Sequence, residues 1–219
     1  MVRPLRAHPI EMGGSCGRTR SRWEFVKLSL ADEKNALRKR ALAARDALSM
    51  EGRIESSVAL VSIAAANIEI EPGQIVAGYH PIRSELDPRP LMAELATLGA
   101  RLCLPVVMGE TSMEFRDLVR GAPMVASGFG TIGPDDDAQV VDPDHILLPL
   151  SAFDRQGNRL GYGAGFYDRA IAALEGRGMK TRLWGLSFAV QEADNVPRGE
   201  HDRVLHGIAT ETEWIPVSP

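Results

Sequence analysis

The chain has few of the features that would place it at a membrane, in an oxidising compartment or on nucleic acid. Its 219 residues hold two cysteines, Cys16 and Cys103. Neither has a partner at metal-ligand spacing, and two lone thiols build no disulfide framework, which suits a reducing cytoplasm. No apolar run approaches the length that crosses a bilayer. Positive charge is not in excess: 25 lysines and arginines stand against 29 acids, a formal net charge of −4. That argues against a broad nucleic-acid-binding face while leaving room for a local basic pocket. What the chain does have is 44% hydrophobic residues, enough for one domain with a substantial core. The expectation is a cytoplasmic monomer acting on small molecules, with neither a membrane nor a nucleic-acid partner.

The most informative stretch runs from His145 to Ile171. The apolar run Ile146 to Leu150 reads as a buried strand, and Phe166 to Ile171 as the first turns of a helix. Between them lie Gly161, Gly163 and Gly165. Alternating glycines before a helix make a loop that a phosphate can approach, because glycine accepts positive φ and lets backbone N–H groups turn inward. The helix N-terminus adds free N–H donors and partial positive charge. Arg159 precedes the glycines and Asp168 follows them, so a cation and a carboxylate able to hold magnesium share the segment. Glycines between a strand and a helix also serve tight packing alone, and this spacing is neither the dinucleotide fingerprint nor a P-loop.

Pro149-Leu150-Ser151-Ala152-Phe153-Asp154, followed by Arg159 through Asp168, resembles the signature of the 5-formyltetrahydrofolate cyclo-ligase family. That signature is Pro-Leu-x-Ala-Phe-Asp, a short gap, then Arg-Leu-Gly-x-Gly-x-Gly-aromatic-Tyr-Asp. Lys34-Asn35-Ala36-Leu37-Arg38 matches the Lys-x-x-Leu-Arg with which the family opens, and Glu85 falls where the family carries a Glu. The resemblance spans residues 31 to 212. It implies a three-layer α/β sandwich with a mostly parallel Rossmann-like sheet, of the sugar-phosphate isomerase and CoA-transferase group. It also implies ATP- and magnesium-dependent closure of 5-formyltetrahydrofolate to 5,10-methenyltetrahydrofolate, with ADP and phosphate released. The route is phosphorylation of the formyl oxygen and ring closure by nitrogen 10.

By the same likeness, Lys34, Arg38 and Arg159 face the nucleotide. Leu160, Gly161, Tyr162, Gly163, Ala164, Gly165, Phe166, Tyr167 and Asp168 form its cradle. Lys34, Arg159 and Tyr167 are the catalytic candidates, and Asp168 with Asp202 is the magnesium pair. Glu85, Tyr79, Tyr162 and Phe166 are the folate candidates, with Ile82 beside them. The chain departs from the family pattern at Tyr162, where many members have Arg or another long residue, at Ala164, where they have Lys or Gly, and at Gly133, where they have Glu. Any cation that assists phosphoryl transfer from 162 or 164 is absent here, so Arg159 and Lys34 must suffice. The alternative is a non-catalytic folate-binding regulator on the same fold. Asp168, Asp202, Arg159 and Lys34 together argue against it, since folate binding alone needs no magnesium pair.

Residues 1–27 are arginine-rich and nearly free of acids, and read as a disordered basic extension ahead of a single catalytic domain at 28–219. Ser29 or Asp32 is placed to cap a helix that runs to Leu48, with Leu30, Leu37, Ala41, Leu42 and Leu48 as its apolar stripe. Lys34 and Arg38, four apart, share one face of it. A second helix is expected over Glu51–Asn67, burying Ile54, Val58, Val61 and Ile63. Strands are expected at 75–79, 101–107, 113–116, 182–188 and 208–212, and a helix at 89–98. Gly128 to Pro134 reads as a loop, Asp135-Asp136-Asp137 as a solvated turn, Met113 and Phe115 as core, and His201 and His206 as surface residues.

Overall fold

The structure, a computed structural model, describes residues 29–200 and 202–217. The basic extension and His201 lie outside the described residues. The elements follow in the order α1 (Leu30–Asp46), α2 (Met50–Ala65), β1 (Ile75–Ala77), α3 (Arg89–Thr97), β2 (Arg101–Met108) and β3 (Ser112–Asp117). Then come β4 (Met124–Ala126), β5 (Ile132–Pro134), β6 (His145–Pro149), β7 (Ala152–Phe153) and β8 (Arg159–Leu160). α4 (Phe166–Gly176), β9 (Arg182–Leu186), β10 (Gly207–Ala209) and β11 (Trp214–Pro216) complete the chain.

The apolar run after His145 is continuous because β6 is the middle strand of a seven-stranded sheet, ordered β11-β10-β9-β6-β1-β2-β3. A central strand covered on both faces has no solvent side to alternate with. The pairs from β10 to β2 are parallel, and only the edge strands β11 and β3 run antiparallel. Alternation appears instead in which core each residue enters. Val76, Leu147, Trp184 and Ala209 join α2 and α3 on one face, through Leu60, Ala64, Leu91 and Leu95. Ala77, Ile146, Leu148, Leu183 and Ile208 join α4 on the other, through Ala170, Ile171 and Leu174. The result is the expected three-layer α/β sandwich with a mostly parallel sheet. Leu147 is fully buried, and truncating such a side chain to alanine costs about 2–5 kcal/mol.

The topology decides where a ligand can sit. From β1 the chain moves outward to β2 on one side, whereas from β6 it moves to β9 and β10 on the other. The loops leaving the carboxyl ends of β1 and β6 therefore diverge and open a crevice between them. Residues 78–88 leave β1, and the β7–β8 hairpin and the glycine loop leave β6.

The capping expectation for α1 is met by both residues: Ser29 Oγ accepts the Asp32 N–H at 3.1 Å, and the Asp32 carboxylate accepts from Ser29 in return. This reciprocal box satisfies two otherwise orphaned donors. The buried stripe of α1 is Leu37, Ala41 and Arg45, packed on Ala152, Leu160 and Val196 rather than on the sheet. Leu30 is exposed, and Leu42 and Leu48 are half-buried.

Some local expectations are corrected. α2 buries Ser57, Leu60 and Ala64, while Ile54 and Val58 are 57% and 59% exposed. Ser57 enters the core because its hydroxyl donates to the Arg53 carbonyl at 2.7 Å and accepts the Asp87 N–H at 3.1 Å. The loop at 128–134 contains β5, which forms a ribbon with β4. Gly133 permits the ribbon's close approach to β2, since a Cβ there would lie 2.9 Å from Val106 Cγ2 and 3.3 Å from the Pro105 carbonyl oxygen. A glutamate at 133 has no room in this arrangement. The strand expected at 208–212 ends at Ala209, and the chain then turns back into β11.

Candidate functional site

The crevice holds a cavity of about 540 Å³, lined from both diverging loops, from α1 and from the start of α4. Every residue singled out in the sequence as a site candidate borders it, although these residues come from four separate parts of the chain.

One wall is cationic and glycine-rich. The β7–β8 hairpin that presents Arg159 is shaped by the buried Asp154. Its carboxylate accepts the Gln156 and Asn158 N–H groups at 3.0 Å and the Val196 N–H at 2.8 Å. Arg159 is buried, donates Nη2 to Asp168 Oδ1 at 2.6 Å and Nη1 to the Arg203 carbonyl. Burial lowers its pKa, and the opposing pulls come from Asp168 and Asp202, which both face it. Lys34 Nζ pairs with Asp202 Oδ2, which also accepts the Gly199 N–H at 2.7 Å. Burial pushes the Asp202 carboxyl up, but the Gly199 N–H, Lys34 and Arg159 outweigh it, so the group is held below the ordinary carboxylate range. Arg38 donates Nε to the Gly161 carbonyl at 2.7 Å, which fixes the glycine loop to α1. Gly163 has φ +100° and faces the Arg38 guanidinium, where a Cβ would come within 3.3 Å of Nη2. Gly165 has φ +70° and leads into α4 with no side-chain cap, so the helix N-terminus opens on the cavity. Backbone N–H groups and three cations around a glycine loop have the chemistry that suits an anion.

The rest of the lining is more apolar and carries one carboxyl. Ile82, Pro105, Val107, Met113, Ile132 and Tyr79 line the cavity together with Glu85. Glu85 accepts the Ile82 N–H at 2.9 Å. Burial lifts its carboxyl to about 7, against the Ile82 N–H, the Arg45 charge and the nearby Tyr162 hydroxyl, which all pull it down. Tyr79 donates its hydroxyl to the Leu86 carbonyl at 2.9 Å, so it offers the cavity a ring. Tyr167 is pushed up, first by burial and then by the Glu85 charge, and stays a neutral phenol. Phe166 lines the cavity at the start of α4, with the Arg169 guanidinium 5.2 Å from its ring centroid. Met113, expected in the core, packs against it and lines the cavity as well.

Residues that the sequence did not single out also border the cavity or support it. Arg45 stands at a core position of α1, and Arg83, His80, Thr131 and Ile132 complete the rim. An arginine four residues after Ala41 on a buried stripe was the one available signal. The exposed His206 ring accepts the Leu183 N–H at 2.9 Å, outside the cavity.

These features define an α/β enzyme with a two-sided cleft at the switch point of its sheet. The model of the 5-formyltetrahydrofolate cyclo-ligase family matches residues 31–211, and the chain belongs to that family. It is 38% identical over 151 residues to a 5-formyltetrahydrofolate cyclo-ligase of Mycolicibacterium smegmatis, covering 65% of this chain and 76% of the relative. It is 31% identical over 147 residues to that of Haemophilus influenzae, covering 64% and 78%. The solution structure of Aquifex aeolicus 5,10-methenyltetrahydrofolate synthetase superposes with a TM-score of 0.72 at 30% identity, over 85% of this chain and 93% of that one.

Proposed function

We propose that this chain closes 5-formyltetrahydrofolate to 5,10-methenyltetrahydrofolate with ATP and magnesium, releasing ADP and phosphate. The observation that carries this reading is the pairing of two unlike walls in one cavity. Lys34, Arg38, Arg159 and the glycine loop suit a polyphosphate, and the apolar wall around Glu85 suits a flat heterocycle with N–H donors.

The formyl group on nitrogen 5 is amide-like, and its oxygen is a poor leaving group. That oxygen attacks the γ-phosphorus and the bond to ADP breaks, which turns the oxygen into part of a phosphate ester. Nitrogen 10 then bonds to the formyl carbon and loses its proton, and the carbon–oxygen bond breaks as phosphate departs. The protein's share is to hold the γ-phosphate in line with the formyl oxygen and to neutralise charge as it spreads over the phosphoryl oxygens. Lys34, Arg38 and Arg159 stand where they neutralise that charge, and the backbone of the glycine loop approaches the phosphates without side chains between.

Asp168 and Asp202 fit a magnesium ion by chemistry, since a hard cation takes one or two carboxylates and completes its shell with phosphate oxygens and water. Magnesium supplies charge neutralisation between the phosphates when bound. Among the described residues no group of three or more His, Cys, Asp or Glu gathers for a metal, so the pair is read as holding the ion together with the nucleotide.

The test is the methenyl-folate absorbance of purified protein given 5-formyltetrahydrofolate, ATP and magnesium, with ADP followed in parallel. A rise that requires both ATP and magnesium is expected. Tight folate binding with neither absorbance change nor ADP would favour the regulator, and absence of folate binding would remove the reading altogether.

A further inference from the structure

Arg169 follows Asp168 on the first turns of α4, is exposed, and is not part of the cavity lining. Its guanidinium nonetheless meets the glycine loop and the β2–β3 hairpin together. Nε donates at 2.5 Å to the carbonyl of Thr111, in the turn between β2 and β3, and Nη2 donates to the Ala164 carbonyl at 2.9 Å. The guanidinium carbon lies 5.2 Å from the Phe166 ring centroid, a cation–π distance. Gly165 leaves room for this packing, since a Cβ there would fall 2.8 Å from Arg169 Nη1. At the other end of the loop, Arg38 donates Nε to the Gly161 carbonyl at 2.7 Å. Two guanidiniums from different helices thus hold the loop by its carbonyl oxygens. A trans peptide sets its C=O and N–H antiparallel. The Tyr162 N–H is therefore turned away from Arg38, and the Gly165 N–H away from Arg169. A loop that is to meet an anion with N–H groups needs its carbonyls occupied elsewhere.

We propose that Arg169 is a positioning residue for the glycine loop: its fork fixes the Ala164 carbonyl, and through Thr111 it ties the loop to the β2–β3 hairpin. That hairpin supplies Pro105, Val107 and Met113 to the cavity lining, so the clamp sets the loop against the other side of the same cavity. The proposal deepens the functional reading above and rests on it for the identity of the anion, a nucleotide triphosphate. Either hydrogen bond alone, made at the surface where water competes, stabilises the fold little. One planar fork carries both, so loop and turn move apart only by breaking one of them. A loop already held in its binding conformation loses less freedom when the anion arrives. The signature of the clamp is therefore in affinity and local order, not in global stability.

The experiment uses Arg169→Ala, which deletes the fork at an exposed position where alanine keeps the helix. Arg169→Lys keeps the charge but not the fork. Arg177→Ala is the control, since it removes another exposed arginine, paired with Asp142 at the far end of α4. Nitrogen NMR relaxation of the ligand-free protein reports the order of the backbone amides. Residues 109–112 and 161–165 are expected near an order parameter of about 0.85 in wild type and below about 0.6, at both segments, in Arg169→Ala. The control should leave both unchanged. ATP with magnesium, folate omitted, should bind Arg169→Ala and Arg169→Lys about tenfold more weakly than wild type, with the melting temperature unmoved. Wild-type order at either segment of Arg169→Ala overturns the proposal, and so does wild-type ATP affinity in either Arg169 variant. Loss of order at both segments, in a protein whose wild type binds no ATP, supports the clamp and refutes the functional reading instead.

Discussion

Carboxyls on opposite walls of one cavity are held in opposite ways. Asp202 meets a lysine, an arginine and a backbone N–H and is pulled below the ordinary carboxylate range. Glu85 accepts one backbone N–H and has its guanidiniums farther off, and burial lifts it to about 7. The difference is in the partners more than in the residue type: a direct ion pair offsets desolvation, whereas a neutral donor offsets it only in part. On the glycine-loop side the Asp202 carboxylate is therefore held charged before any ligand arrives. The Glu85 side keeps a carboxyl that changes charge near neutral pH.

Breaking the charged wall should have the largest effect. Asp168→Ala is expected to lower turnover about a hundredfold or more, because it removes a proposed magnesium ligand and leaves the buried Arg159 without its 2.6 Å partner. Steady-state rates at saturating folate, with magnesium varied, check this. Lys34→Ala should cost about tenfold in turnover or more, with the KM for ATP rising and the KM for folate unmoved. Wild-type turnover in that variant removes Lys34 from the site.

The folate wall should respond the other way in stability. An acid whose folded pKa is raised destabilises the fold above that pKa, and the cost vanishes below the unfolded value. Glu85→Gln should therefore weaken folate binding about tenfold yet unfold at a higher temperature near pH 8. The gain cannot exceed about 3 kcal/mol, set by a shift from 4.5 to about 7, and it should fade as pH falls toward 4.5. Asp202→Asn is the smaller counterpart. A depressed pKa contributes stability above the unfolded value of 3.8, lost as pH falls through the folded one. This variant should melt lower at neutral pH and match wild type in strong acid, as thermal unfolding followed against pH would report.

The central stretch was legible because its chemistry is local: a buried strand, Arg159, alternating glycines and Asp168 lie within about twenty residues, where spacing alone constrains geometry. Lys34 and Asp202 are 168 positions apart, and only the family resemblance brought them to one site. Arg45 and Tyr162, separated by 117 positions, left no such trace. α2 misled because it carries apolar side chains on two faces. Leu60 and Ala64 chose the buried one, and Ser57 accompanied them by satisfying its hydroxyl locally. β4, β5 and β11 are three residues each, too short for alternation to register.

α1 contributes no residue to either cluster flanking the sheet. It rests on the small group of Leu37, Ala41, Ala152, Leu160 and Val196. Yet it carries Lys34 and Arg38, which line the cavity and are tied to Asp202 and Gly161. The helix is a strap beside the cleft, seated on a smaller apolar group than the strands of the sheet. Strands such as β6 open only with the whole domain, whereas a strap of this kind lifts by itself. Its amide protons are therefore expected to exchange with solvent ahead of those of β6 and to slow the most when a nucleotide bridges the cations to the glycine loop.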